Sequence, residues 1–191
     1  HSDLRRQRQM CIRDSYWGER VISKHIKKES NRTMRSCNIE DARSVGMLCE
    51  IKKKEDYHAL VEIIDFLKKE YSIKNLKILA FYPFKDEPFF LKSRLGLDFF
   101  SLNELNYYGF PNNSIVRNFM NESFDILIDL TQRRIVPLRL VLLFSKSSFK
   151  VGSFSDEKKP FYDLMIETDP SDYKEYVTQV TSYLKIFDKN D

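Results

Sequence analysis

Glycine is scarce in this 191-residue chain, which has five, and histidine and cysteine number three each. The glycines are Gly18, Gly46, Gly96, Gly109 and Gly152. No two are spaced for a GxGxxG or GxxxxGKS/T loop, whose glycines let backbone N–H groups close around a phosphate. That argues against a classical dinucleotide or P-loop site. Cys37 and Cys49 match no zinc-ligand spacing and form no disulfide framework. Cys49 sits in an apolar run, where a reduced, buried thiol is the ordinary state. His25 and His58 stand far apart, and His58 falls on the polar side of a helical stretch, so no metal site and no cofactor are assigned. No apolar run approaches the roughly 20 residues of a membrane span. The longest, Leu138–Phe144, is interrupted by Arg139. A cytoplasmic location is expected.

Residues 1–15 read poorly as protein. Met10–Ser15 back-translates to ATG-TGT-ATA-AGA-GAC-AG plus one base, which resembles the transposase mosaic end of sequencing libraries. Arg5–Gln9 back-translates to CGT-CGG-CAG-CGT-CAG, similar to the adapter bases that precede it. We read residues 1–15 as translated adapter that packs on nothing, with the natural start missing, and set them aside from fold and function. Their Arg5, Arg6, Arg8 and Arg13 against Asp3 and Asp14 carry +2 of the chain's net +4. What remains is nearly balanced, so nucleic acid is only weakly supported as a partner.

Residues 16–36 keep a charge bias. Arg20, Lys24, Lys27, Lys28, Arg32 and Arg35 face only Glu19 and Glu29, while Val21, Ile22 and Ile26 form a narrow helical stripe. Two readings stand. The stretch is a basic helix and arm for a protein partner or an anionic surface, with Arg20, Lys24, Lys27 and Lys28 as contacts. Alternatively it is a solvated helix laying its stripe on the domain.

From residue 37 to 191 strand and helix signals alternate. Ser44–Ile51 is nearly continuously apolar, as a strand buried on both faces must be. In Glu55–Tyr71 the residues Leu60, Ile63, Ile64, Leu67 and Tyr71 share one helical face. Strands are predicted at Leu76–Tyr82, Asp98–Leu102 near an edge, Phe124–Leu130, Phe149–Phe154 and Tyr162–Glu167. Helices are predicted at Asn112–Met120, capped by Asn112, at Pro137–Ser145, and from about Ser171 to Phe187, capped by Asp169 or Ser171. Such alternation specifies an α/β fold: a mostly parallel sheet with helices on both faces, preceded by the basic N-terminal helix.

Ligands of open α/β sheets bind beyond the carboxyl ends of the strands. The best candidate there is Asp129-Leu130-Thr131-Gln132, which offers an acid, a hydroxyl and an amide after a buried strand. Asp129 would orient a ligand hydroxyl and Thr131 and Gln132 would bond a polar group, with Lys52 or Tyr82 converging from neighbouring strands. The competing reading is that Asp129 and Thr131 only satisfy loop N–H groups. No catalytic set is assigned. The aromatic loop Tyr107–Pro111 reads as a stacking platform or as a lid on the sheet edge.

Residues 20–187 resemble a family of small, uncharacterised bacterial proteins, a domain of unknown function. The resemblance rests on residues 43–48 (RSVGML), 103–111 (NELNYYGFP), 124–130 (FDILIDL), 137–146 (PLRLVLLFSK), 149–153 (FKVGS) and 162–166 (YDLMI). It implies a single Rossmann-like domain with no assigned activity. Residues 124–152 are also similar to the acceptor half of heptosyltransferase-type glycosyltransferases, which need a second domain for the nucleotide sugar. Two functions follow as expectations: a non-enzymatic interaction module working through the basic helix, or a small-molecule site for a sugar or nucleotide at Asp129–Gln132.

Overall fold

The computed structural model describes residues 18–25, 34–71, 73–106, 108–167 and 172–186. Residues 18–25 are the described part of helix α1. The expectation that residues 1–15 pack on nothing lies outside the described residues. Among the described residues four more helices and six strands follow: β1 Ser44–Glu50, α2 Lys54–Tyr71, β2 Asn75–Tyr82, β3 Leu97–Ser101, α3 Ser114–Asn121, β4 Ile126–Asp129, α4 Val136–Phe144, β5 Phe149–Ser153, β6 Leu164–Ile166 and α5 Tyr173–Leu184. Single 3-10 segments, Leu102–Glu104 and Asp156–Phe161, follow β3 and β5.

All five strand pairings are parallel, and the order across the sheet is β3-β2-β1-β4-β5-β6. Alternate side chains leave opposite faces of a strand, and both faces here are apolar. Val45, Met47, Cys49, Ile78, Ala80, Ile126 and Ile128 pack with Leu60, Ile63 and Leu67 of α2 and Tyr176, Val177, Val180 and Leu184 of α5. Leu48, Leu79, Phe81, Phe100 and Leu127 pack against Ile22 of α1, Val116, Phe119 and Met120 of α3, and Leu138, Val141 and Leu142 of α4. The result is a single Rossmann-like α/β domain with two cores on either side of one sheet. Helix α1 belongs to it: Ile22 is 1% exposed, and a Cβ on Gly18 would lie 2.4 Å from Val136 Cγ1.

Local signals explain most boundaries, and two caps differ from expectation. Helix α3 is capped by Asn113, not Asn112. The extended backbone of Asn113 aims its side-chain oxygen at the Val116 N–H, 2.8 Å away, while Asn112 accepts from Arg117 instead. Helix α5 is capped by Asp172, whose carboxylate accepts from the Lys174 and Glu175 N–H groups; the expected caps Asp169 and Ser171 lie outside the described residues. The aromatic loop turns through Gly109 at φ 73°, and Phe110 meets Phe144 of α4 edge to face, with ring centres 5.7 Å apart. Asp125 aligns the middle of the sheet by accepting from the Arg43 and Ser44 N–H groups at 2.8 and 2.9 Å.

Candidate functional site

The strand order reverses direction between β1 and β4. From β1 the chain runs outward through β2 to β3, and from β4 it runs the other way to β6. The loops that follow β1 and β4 therefore part from each other, which leaves a crevice at the carboxyl ends of those strands. A cleft of about 140 Å³ opens beside it on the α4 side of the sheet. Asp129, Thr131 and Gln132 come from the loop after β4; Arg133, Arg134 and Arg139 come from the approach and first turn of α4; Ser155, Phe161 and Tyr162 come from the segment after β5. Ligand pockets for drug-sized molecules run to roughly 300–1,000 Å³, so this one is small by that measure.

Asp129 is 4% exposed and anchors the floor. Its Oδ1 accepts from the Thr131 N–H at 2.8 Å and its Oδ2 accepts from the Tyr162 hydroxyl. A carboxylate has about four lone-pair positions, so two remain after these bonds. Burial of its hydroxyl, then the neighbouring Asp129 charge, pushes the Tyr162 phenol well above its usual range, so it stays a donor. Tyr162 reaches Asp129 because it lies flat over Gly152, where a Cβ would stand 2.5 Å from its ring. Arg139 stacks on Phe161 with its guanidinium carbon 4.5 Å from the ring centre.

Each arginine of the cleft meets a carboxylate. Arg133 forks onto Glu50 at the end of β1, with Nε to Oε2 at 3.0 Å and the second bond to Oε1. Lys52 holds the same carboxylate at 2.9 Å. Arg134 forks onto Glu19 of α1, with Nε to Oε1 at 2.8 Å and a second bond from Nη2 to Oε2, and Arg139 Nη1 reaches Glu19 Oε1 at 3.1 Å. Tyr173 of α5 closes the other side of β1 by donating to the Glu50 carbonyl at 2.6 Å.

Of the residues singled out by sequence, Asp129, Thr131 and Gln132 come together in the cleft. Lys52 and Tyr82 do not line it. Lys52 is one ion pair away, through Glu50, and Tyr82 turns to the α2 face because of its parity on β2. The Asp129–Thr131 bond that the competing reading expected is present too, and it orients the acid within the cleft. Arg20 and Lys24 are exposed on α1, and Lys27 and Lys28 lie outside the described residues. Sequence reasoning missed Arg133, Arg134 and Arg139, although two of them directly follow Gln132. It also missed Tyr162, for which the one local signal is the Gly152 that admits it.

At the turn after β1, where Rossmann domains take a pyrophosphate, the Lys52 and Lys53 N–H groups both donate to Asp56 Oδ2, at 2.9 and 3.2 Å. The chain's own carboxylate thus takes up two N–H donors of that turn. Among the described residues no group of three or more His, Cys, Asp or Glu is placed to hold a metal, and no helix is long and apolar enough to cross a membrane.

Fold and cleft define an α/β domain of Rossmann strand order whose switch point carries a small, polar, arginine-rich cleft. The chain belongs to a family of unknown function (DUF6913), whose model matches residues 15–187. No curated protein and no solved structure matches it.

Proposed function

We propose that this domain is a non-enzymatic binding module for a small hydroxyl-bearing metabolite, a sugar or the sugar part of a nucleotide, held in the cleft at Asp129, Thr131 and Gln132. The observation that carries the reading is Asp129: a nearly buried carboxylate at the carboxyl end of β4, oriented by Thr131 and Tyr162, with lone pairs left for a ligand. The cleft's small size and the capture of the β1 turn by Asp56 argue against a dinucleotide. The resemblance of residues 124–152 to heptosyltransferase-type acceptor domains covers the same β4-α4-β5 unit and makes sugars the first ligands to try. A bacterial, cytoplasmic setting is part of this reading.

The test is a thermal-shift screen of monosaccharides, sugar phosphates and nucleosides at millimolar concentration, followed by calorimetry. One class is expected to raise Tm, and Asp129→Asn is expected to weaken it about tenfold, one charge-assisted hydrogen bond's worth. No shift from any class, or equal binding by the variant, rejects the reading.

The exposed Arg20 and Lys24 of α1 favour a second reading, a protein partner or anionic surface at the basic helix. Reversing Lys24, Lys27 and Lys28 to glutamate leaves Ile22 in place. An unchanged set of captured partners would reject that reading.

A further inference from the structure

We infer that the cleft takes an uncharged sugar by a vicinal diol, with one hydroxyl donating to each oxygen of Asp129, and that it disfavours anionic sugars. This rests on the cleft being a sugar site. Asp129 lines the cleft, and its two oxygens are used evenly. Oδ1 accepts from the Thr131 N–H at 2.8 Å, and Oδ2 accepts from the Tyr162 hydroxyl. Each oxygen of a carboxylate has two lone-pair positions, so each keeps one. Adjacent ring hydroxyls are spaced to donate to the two oxygens of one carboxylate, much as the two N–H groups of a guanidinium fork do. Both bonds already present come from neutral donors, so the charge of Asp129 strengthens the hydrogen bonds a ligand adds. A diol also needs only part of a cleft of about 140 Å³.

The charges around the cleft favour a neutral ligand. Arg133 is forked onto Glu50, and Arg134 and Arg139 meet at Glu19, with further interactions of their own. With Asp129 counted, three guanidinium groups stand with three carboxylates. Lys52 also holds Glu50, but its side chain is 48% exposed and does not line the cleft, so water screens its charge. An anionic ligand would have to break an arginine–carboxylate pair and bring its own charge up to Asp129, where like charges repel. Pro137 in the first turn of α4 removes one of the N–H groups that an anion at that helix end would use. The aromatic rings of the cleft are engaged as well. Phe161 carries the Arg139 guanidinium at 4.5 Å, and Tyr162 lies over Gly152, which favours recognition through hydroxyls over stacking.

The experiment is calorimetry on the full chain near neutral pH with ribose, mannose, galactose and glucose, and with the charged counterparts ribose 5-phosphate, mannose 6-phosphate, galacturonate and glucuronate. For a sugar that binds, its monodeoxy analogues follow. Two of them, lacking adjacent hydroxyls, are each expected to bind at least about tenfold weaker, because each leaves an oxygen of Asp129 unpaired. The charged counterpart is expected to bind more weakly than its parent. In Asp129→Asn, whose amide nitrogen replaces one acceptor, the penalty for at least one of those two analogues is expected to vanish. Circular dichroism and Tm show whether this variant folds, and the analogue series on the unaltered chain decides the matter if it does not. A charged counterpart that binds as tightly as its parent overturns the inference and leaves the sugar reading standing. So do penalties that fall on non-adjacent hydroxyls, or on none. Binding by none of these probes removes the sugar reading, and the diol with it.

Discussion

Gly152 shows how a missing side chain creates a site. Its bare backbone admits the Tyr162 ring, whose hydroxyl then reaches Asp129. Gly152→Ala is expected to push the ring away and cost about 1–3 kcal/mol, the range for overpacking a well-filled core. Urea denaturation measures the loss, and the Tyr162 phenol should titrate closer to its normal range; unchanged stability would show that the ring moves freely. Tyr176 gives the opposite case. It is fully buried, and its hydroxyl has no hydrogen-bond partner among the described residues. A buried, unbonded hydroxyl costs about 1–3 kcal/mol of desolvation, so Tyr176→Phe should be neutral or stabilising. A clear loss of stability would mean that the hydroxyl is satisfied after all.

At the scale of elements, α3 depends on its two ends. Asn113 caps its start, and Asn113→Ala is expected to cost about 1 kcal/mol, read from the same denaturation midpoint; an unchanged midpoint would show the cap to be redundant. At its end Glu122 ties the helix to β2, accepting from Lys77 Nζ at 2.6 Å and from Asn75. The Lys77 hydrogen bond is the main cause that holds the Glu122 carboxyl below its usual value. A lowered folded-state pKa contributes stability above the unfolded value, near 4.3, which is lost as pH falls through the folded value. Glu122→Gln should therefore flatten the acid limb of the stability profile below about pH 4.3 and leave its slope at pH 7 unchanged. An unaltered acid limb would assign it to other carboxylates.

Over the whole molecule, alkaline pH probes both cores and the cleft together. Tyr162, Tyr173 and Tyr176 all have phenol pKa values raised, first by burial and then by nearby acids. A raised folded-state pKa contributes stability that is complete below the unfolded value, about 10, and disappears as pH climbs toward the folded one. Tm should fall above about pH 10, and absorbance at 295 nm should show these three tyrosines ionising only with unfolding. Three early, reversible titrations would place them in water instead.

Much of this architecture was legible along the chain. Leu60, Ile63, Ile64 and Leu67 repeat at the helical period, and residues 45–49 and 126–128 carry no polar side chain at successive positions, so their burial requires helices on both sides of the sheet. Asp129–Gln132 was legible for the same reason, since polar residues directly after a buried strand lie at its carboxyl end. Local patterning determined the elements, the α/β class and that corner of the cleft, because those signals act within a few residues. Only the tertiary structure decided the strand order, the placing of Tyr162 against Asp129 across 33 positions, and the pairing of Glu19 with Arg134 across 115. Those contacts depend on how one sheet brings distant segments to its switch point, and no short-range periodicity encodes that.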